Sequence, residues 1–195
     1  MHGLINRAIQ CFVQDNYGFD RWQSMCFAAG LDEVEFEAML HYEDELTDQL
    51  LDMVSAALKS PRDTVLEDIG TYLVSHPNVE ALRRLLRFGG ETFVDFLNSL
   101  EELPDRARLA VDDLVLPQLD VREVDPHHFR LTCRFPRPGF GHVAVGILRT
   151  LADDYGALVF LEHNGVLAGA EEIDITLIET AFAKGRSFEI GARAV

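Results

Sequence analysis

Phe129-Arg130-Leu131-Thr132-Cys133-Arg134-Phe135 alternates apolar and polar side chains without a break. A period of two is the signature of a strand with one buried face. The stretch therefore marks where the chain stops reading as helix. Immediately before it, Leu119 to Val124 is joined through Asp125-Pro126 and reads as the hairpin partner. After it, Pro138-Gly139 breaks the chain. A helix carrying Val143, Ile147, Leu148 and Leu151 then runs to Gly156. Leu158 to His163 reads as a strand ending in the turn pair Asn164-Gly165. Ile173, Ile175 and Leu177 alternate once more, and Ser187 to Ala192 reads as a last strand.

Upstream of residue 118 the period is helical. Leu4, Ile5, Ala8, Ile9, Phe12 and Val13 form one apolar stripe. A second helix spans Phe19 to Ala29 and stops at Gly30, and a third follows Asp44 with Leu46, Leu50, Met53, Val54, Ala57 and Leu58 on one face. Ser60-Pro61 restarts the chain into a helix bearing Val65, Leu66, Ile69 and Leu73. Asn78 reads as the cap of the next helix, which ends at Gly89-Gly90. A further helix carries Phe93, Phe96, Leu97 and Leu100 and is expected to run to Leu103, since Pro104 disfavours helical geometry in the residue before it. The expected fold class is α+β: a helical N-terminal half and a C-terminal antiparallel sheet interrupted by one helix. No repeat or linker divides the chain. It reads as one domain, 1–195, in which residues 1–60 form a helical subdomain and residues 61–195 supply further helices and the sheet.

Composition excludes several classes of function. With 17 Lys plus Arg against 33 Asp plus Glu, the formal net charge is −16. Such a field repels nucleic-acid backbones and anionic lipid surfaces. Cys11, Cys26 and Cys133 are too scattered for a disulfide or zinc framework. The N-terminus lacks a signal-peptide layout and no apolar run is long enough to span a bilayer, so the expectation is a cytoplasmic protein. No phosphate loop, nucleophile elbow or zinc-protease motif is present, and nothing assembles a nucleophile, base and oxyanion site; the chain does not read as an enzyme. His127-His128 lacks a third ligand, so no metal site is expected. His2, His41, His76 and His163 stand isolated in the sequence and read as surface or packing residues.

A series of short matches carries more information than any one motif. Met1-His2-Gly3-Leu4-Ile5-Asn6-Arg7-Ala8-Ile9, Tyr17-Gly18-Phe19-Asp20-Arg21-Trp22 and Ala28-Ala29-Gly30-Leu31 occur in that order. They are followed by Leu85-Leu86-Arg87-Phe88-Gly89-Gly90, Phe96-Leu97-Asn98-Ser99-Leu100, Arg137-Pro138-Gly139-Phe140 and Val145-Gly146-Ile147-Leu148-Arg149. The series, covering residues 1 to about 160, resembles the haem nitric oxide/oxygen-binding (H-NOX) family, the sensor domain of bacterial gas sensors and of soluble guanylate cyclase.

The resemblance implies a haem pocket and the residues that would line it. In that family a histidine ligates the haem iron and a proline follows thirteen residues later. Here Pro104 stands at the histidine position, and Pro117 keeps the spacing. A pyrrolidine ring offers iron no lone pair. The family's Y-x-S-x-R signature, which holds the haem propionates, aligns with Cys133, Phe135 and Arg137, so only the arginine is retained. Ile5 and Ile9 correspond to pocket-lining positions, with plain core packing as the alternative. His142 is the candidate for a substitute iron ligand.

Two readings follow. In the first, the chain is a stand-alone sensory or regulatory domain without histidine-ligated haem. It acts through a separate signalling protein, such as a kinase or cyclase, or through a different apolar ligand. In the second, it is a haem-binding nitric oxide sensor with a non-standard iron ligand, His142, Cys133, His127 or His128.

Overall fold

The structure is a computed structural model in which residues 1–31 and 35–185 are described. The stretch Ser187 to Ala192, expected as a last strand, lies outside the described residues. The chain divides into two compact units, Met1–Ile69 and Gly70–Val195. Among the described residues no helix is long and apolar enough to cross a membrane.

The first unit is helical. It contains α1 (Gly3–Tyr17), α2 (Phe19–Ala28), α3 (Asp44–Leu58) and the first part of α4 (Arg62–Ser75), which continues past the boundary. Phe12, Val13, Trp22, Leu50 and Val54 are buried on the helices, and Phe36, between α2 and α3, is buried as well. Polar groups buried with them are tied to one another. The Thr47 hydroxyl donates to Asn6 Oδ1 at 2.6 Å, and Gln10 Oε1 accepts from the Phe36 amide at 2.9 Å. Such pairing offsets the cost of taking polar groups out of water.

Among the described residues, the second unit adds α5 (Glu80–Arg87), α6 (Phe93–Ser99), α7 (Leu103–Ala110) and α8 (Phe140–Tyr155) to four strands. These are β1 (Gln118–Asp125), β2 (His128–Arg134), β3 (Leu158–Leu167) and β4 (Ala170–Glu179), paired antiparallel in the order β1-β2-β4-β3. One face of the sheet presents Phe129 and Leu131 from β2 and Ile173, Ile175 and Leu177 from β4. It packs with Val145, Leu148 and Leu151 of α8 and with Phe93, Phe96 and Leu97 of α6 in one apolar core. The α+β reading stands, with the sheet interrupted by α8.

Local differences from the sequence reading have identifiable causes. The helix expected to run from Phe93 to Leu103 ends at Ser99. A 3-10 turn, Leu100–Glu102, follows, and α7 then starts with Pro104 in its first turn. An uninterrupted α-helix would need the missing Pro104 N–H to satisfy the Leu100 carbonyl. In the 3-10 turn Leu103 donates to that carbonyl instead. Pro104 thus opens a helix rather than closing one. Upstream, Asn78 does not cap α5, whose N-cap is Val79 with no side-chain cap; instead His76 Nδ1 accepts from the Asn78 amide at 3.3 Å and caps the 3-10 turn Pro77–Val79 that precedes the helix. Asn164-Gly165 does not turn the chain either. Gly165, at φ +82°, sits where the β3–β4 register slips between His163 and Val166. The reversal comes at Ala168-Gly169, both at positive φ (51° and 81°), as a tight two-residue hairpin demands.

Candidate functional site

The core face of the sheet changes character at one end. Along β2 the buried residues run Phe129, Leu131, Cys133; along β4 they run Leu177, Ile175, Ile173, Glu171. On β3, Leu161 and His163 lie opposite Ile175 and Ile173. Cys133, Glu171 and His163 therefore occupy positions where the strand pattern calls for aliphatic side chains. Cys133 pairs directly with Glu171 across β2 and β4. Glu171 is only 4% exposed. A buried carboxylate must be held by donors or a counter-charge.

The donors come from the start of α8. Its N-cap is Gly139, at φ +116° and with no side chain to cap the helix. Glu171 Oε2 accepts from the amides of Gly139 at 3.0 Å and Gly141 at 3.1 Å, so a carboxylate from the sheet caps the helix and faces its positive end. The other oxygen, Oε1, lies 3.2 Å from His163 Nε2. His163 Nδ1 accepts from the Gly165 amide at 3.2 Å, which leaves the ring proton on Nε2 to be donated to Glu171. His142, in the first turn of α8, stacks on His163 with ring centroids 3.9 Å apart and planes 19° apart. Gly141 makes this approach possible, since a Cβ there would come within 2.6 Å of His163 Nε2 and 2.9 Å of Glu171 Cβ. Beside the cluster, burial and the Glu171 charge push the Cys133 thiol up to about 12.

The other candidate residues are placed as follows. Phe135 lies just past the end of β2, half-buried, with its ring 4.6 Å from that of Phe140. Arg137 is half-buried in the bend before α8. Pro104 is buried in the first turn of α7. Ile9 is buried and Ile5 half-buried on α1, in the first unit. His127 is exposed in the β1–β2 turn, and His128 pairs with Asp174 at 3.6 Å. Five residues of extended strand separate His128 from Cys133, roughly 17 Å, so these histidines do not join the cluster.

His142 is thus brought together with two residues that sequence reasoning passed over. His163, which stands isolated in the sequence, packs against His142 and pairs with Glu171, a residue that no motif in the sequence marks. The available signal was a polar residue at a core-face position of an otherwise apolar alternation, once on β3 and once on β4.

This sheet-and-helix architecture is that of solved H-NOX proteins. The chain superposes on the Fe(II) unliganded H-NOX protein from K. algicida with a TM-score of 0.79 at 18% identity, covering 94% of this chain and 100% of that one. A mutant H-NOX protein from S. oneidensis in the Fe(II) ligation state gives 0.78 at 17% identity, covering 92% and 97%. The family model described as Haem-NO-binding matches residues 2–163, and the chain belongs to that family of haem-NO-binding sensor domains. Curated relatives include soluble guanylate cyclase gcy-31 of Caenorhabditis elegans, 25% identical over 79% of this chain, and soluble guanylate cyclase 89Da of Drosophila melanogaster, 22% identical over 81%. The chain spans 22% and 24% of those two proteins.

Proposed function

We propose that this chain is a sensory domain of the haem-NO-binding family that works without histidine-ligated haem, relaying a signal to a separate protein or through a different pocket ligand. The observation that carries the reading is Pro104. It stands at the position that the family resemblance gives to the iron ligand, buried in the first turn of α7. It has no lone pair to offer.

The propionate end supports the same conclusion. Cys133 is a neutral buried thiol beside a buried carboxylate, a pairing that repels a second carboxylate. Phe135 places an apolar ring, packed on Phe140, at the position of a hydroxyl. The residues present do not fit a histidine-ligated haem with a three-residue propionate clamp. No catalytic step is assigned to the domain.

The segment from α6 to α7 is the natural relay. Its 3-10 turn is tied to the edge strand, where Glu101 Oε1 accepts from the Val121 amide at 3.2 Å. Arg106 Nη2 bridges back to the Ser99 carbonyl at 2.8 Å. A ligand moves such a segment only if it binds one arrangement better than the other. The relatives' names point to a cyclase-type partner.

The test is spectroscopic. Protein purified from haem-sufficient cells, then mixed with haemin, is expected to show no stoichiometric, sharp Soret band. A one-to-one band that shifts with nitric oxide would favour the second reading, haem held by His142, Cys133, His127 or His128. Single substitutions at those four positions would then identify the ligand.

A further inference from the structure

We propose that His142, His163 and Glu171 form a binding site for one divalent transition ion of zinc's class, at the junction of β3, β4 and the start of α8. One ligand atom from each residue lies within 4.8 Å of the other two. Two imidazoles and a carboxylate around zinc, at bond lengths of about 2.0–2.1 Å, stand roughly 3.3 Å apart. The His163–Glu171 pair already meets that spacing at 3.2 Å. His142, on the first turn of α8, is stacked on His163 with planes 19° apart, so its ring has to turn out of the stack to bring a ring-plane lone pair onto the ion.

Two nitrogens and one oxygen form a donor set suited to zinc, and three protein ligands leave a fourth position open to water or an incoming group. The arrangement has its supporting contacts. Glu171 is oriented by the Gly139 and Gly141 amides through the oxygen that faces away from His163. Fixing a ligand through its other atom is how metal sites hold their geometry. The chain's net charge of −16 raises the local concentration of cations.

The ion would also reach the β3 bulge. If it takes Nε2 of His163, the ring proton moves to Nδ1, which can no longer accept from the Gly165 amide. If it takes Nδ1, it displaces that amide directly. Either way the Gly165 contact, 3.2 Å in the structure, is broken on binding. Because Gly165 sits at the register slip between His163 and Val166, binding at α8 is coupled to the geometry of β3. This inference does not depend on the haem reading.

The experiment uses the full chain stripped with chelator and titrated with Zn²⁺ by calorimetry, and with Co²⁺ by visible absorption. One equivalent is expected to bind, with the intense ligand-field bands of a four-coordinate cobalt site. His142→Ala and Glu171→Gln are expected to weaken binding by at least about tenfold. Glu171→Gln keeps a side-chain oxygen for the two amides, and circular dichroism verifies the fold of each variant. In the folded parent protein, Zn²⁺ is expected to shift the Gly165 amide resonance. Failure to bind one equivalent, unchanged affinity in folded His142→Ala, or a Gly165 resonance that does not move on saturation would each overturn the proposal.

Discussion

Cys133 and Glu171 stand opposite each other on β2 and β4, both on the core-facing side of the sheet, and the carboxylate raises the cost of ionising the thiol. With the thiol pushed up to about 12, its thiolate fraction near pH 8 is about one in ten thousand. The thiolate is the reactive form. Cys133 is therefore expected to resist alkylation in folded, chelator-treated protein and to react at the ordinary cysteine rate once denatured. Peptide mapping after a timed iodoacetamide pulse measures this. Modification of Cys133 as fast as of the half-buried Cys11 would contradict the burial and charge described.

Gly141→Ala probes the close approach of α8 to the sheet. The added methyl must push aside His163 Nε2 or the base of the Glu171 side chain. Overpacking of this kind costs about 1–3 kcal/mol, and here it also strains the carboxylate that caps α8. Denaturant unfolding should give a lower midpoint with an unchanged slope. A variant as stable as the parent would mean that the sheet end is looser than these contacts imply.

Much of this architecture is legible in the residues themselves. Leu131 and Cys133 show as one buried face in the sequence because strand alternation is a local signal. Pro104 is compatible in the sequence with either side of a helix break, so it reads as a terminator although it opens a helix. Only the Leu103-to-Leu100 bond shows which side it takes. Asn164-Gly165 reads as a turn because glycine at positive φ serves a bulge as well as a hairpin, while Ala168, at φ +51°, carries no turn signal of its own. The pairing of His163 with Glu171 is not visible in the sequence because their proximity arises from the β3–β4 hairpin and the register slip within it. The resemblance marked positions 104, 133, 135 and 137, but it does not tell what surrounds the side chains that now stand there.

On the opposite face of the sheet, Arg130 forms a two-pronged contact with Asp174, Nε to Oδ1 at 2.8 Å and Nη2 to Oδ2 at 3.3 Å. The Arg130 hydrogen bond holds the Asp174 carboxyl below its ordinary value of 3.8. A carboxyl lowered in the folded state contributes stability above its unfolded value, and that contribution is lost as pH falls through the folded one. The expected loss lies below pH 3.8. Asp174→Asn should flatten this part of the acid-unfolding profile while costing under about 1 kcal/mol at neutral pH, because the pair is partly exposed. Acid unfolding followed by circular dichroism decides it, and a parallel, undiminished acid limb in the variant would refute the assignment.

Pro104→His restores an imidazole at the position that the family resemblance gives to the iron ligand. It also restores the N–H that an α-helix through residue 104 would donate to the Leu100 carbonyl, so the 3-10 turn at Leu100–Glu102 is free to become regular helix. The variant is expected to fold, and to bind haemin only weakly, because the clamp end still presents the Cys133 thiol, the Phe135 ring and the buried Glu171 carboxylate. Lost hydrogen bonds to a charged group are each worth about 1.5–3 kcal/mol, so two missing clamp bonds weaken binding by roughly two to four orders of magnitude. Adding Cys133→Tyr and Phe135→Ser to Pro104→His is expected to tighten haemin binding well beyond the single variant. Haemin titration followed at the Soret band compares the two. Full occupancy in Pro104→His alone would show that the iron-ligand position decides haem binding and that the changes at the clamp do not.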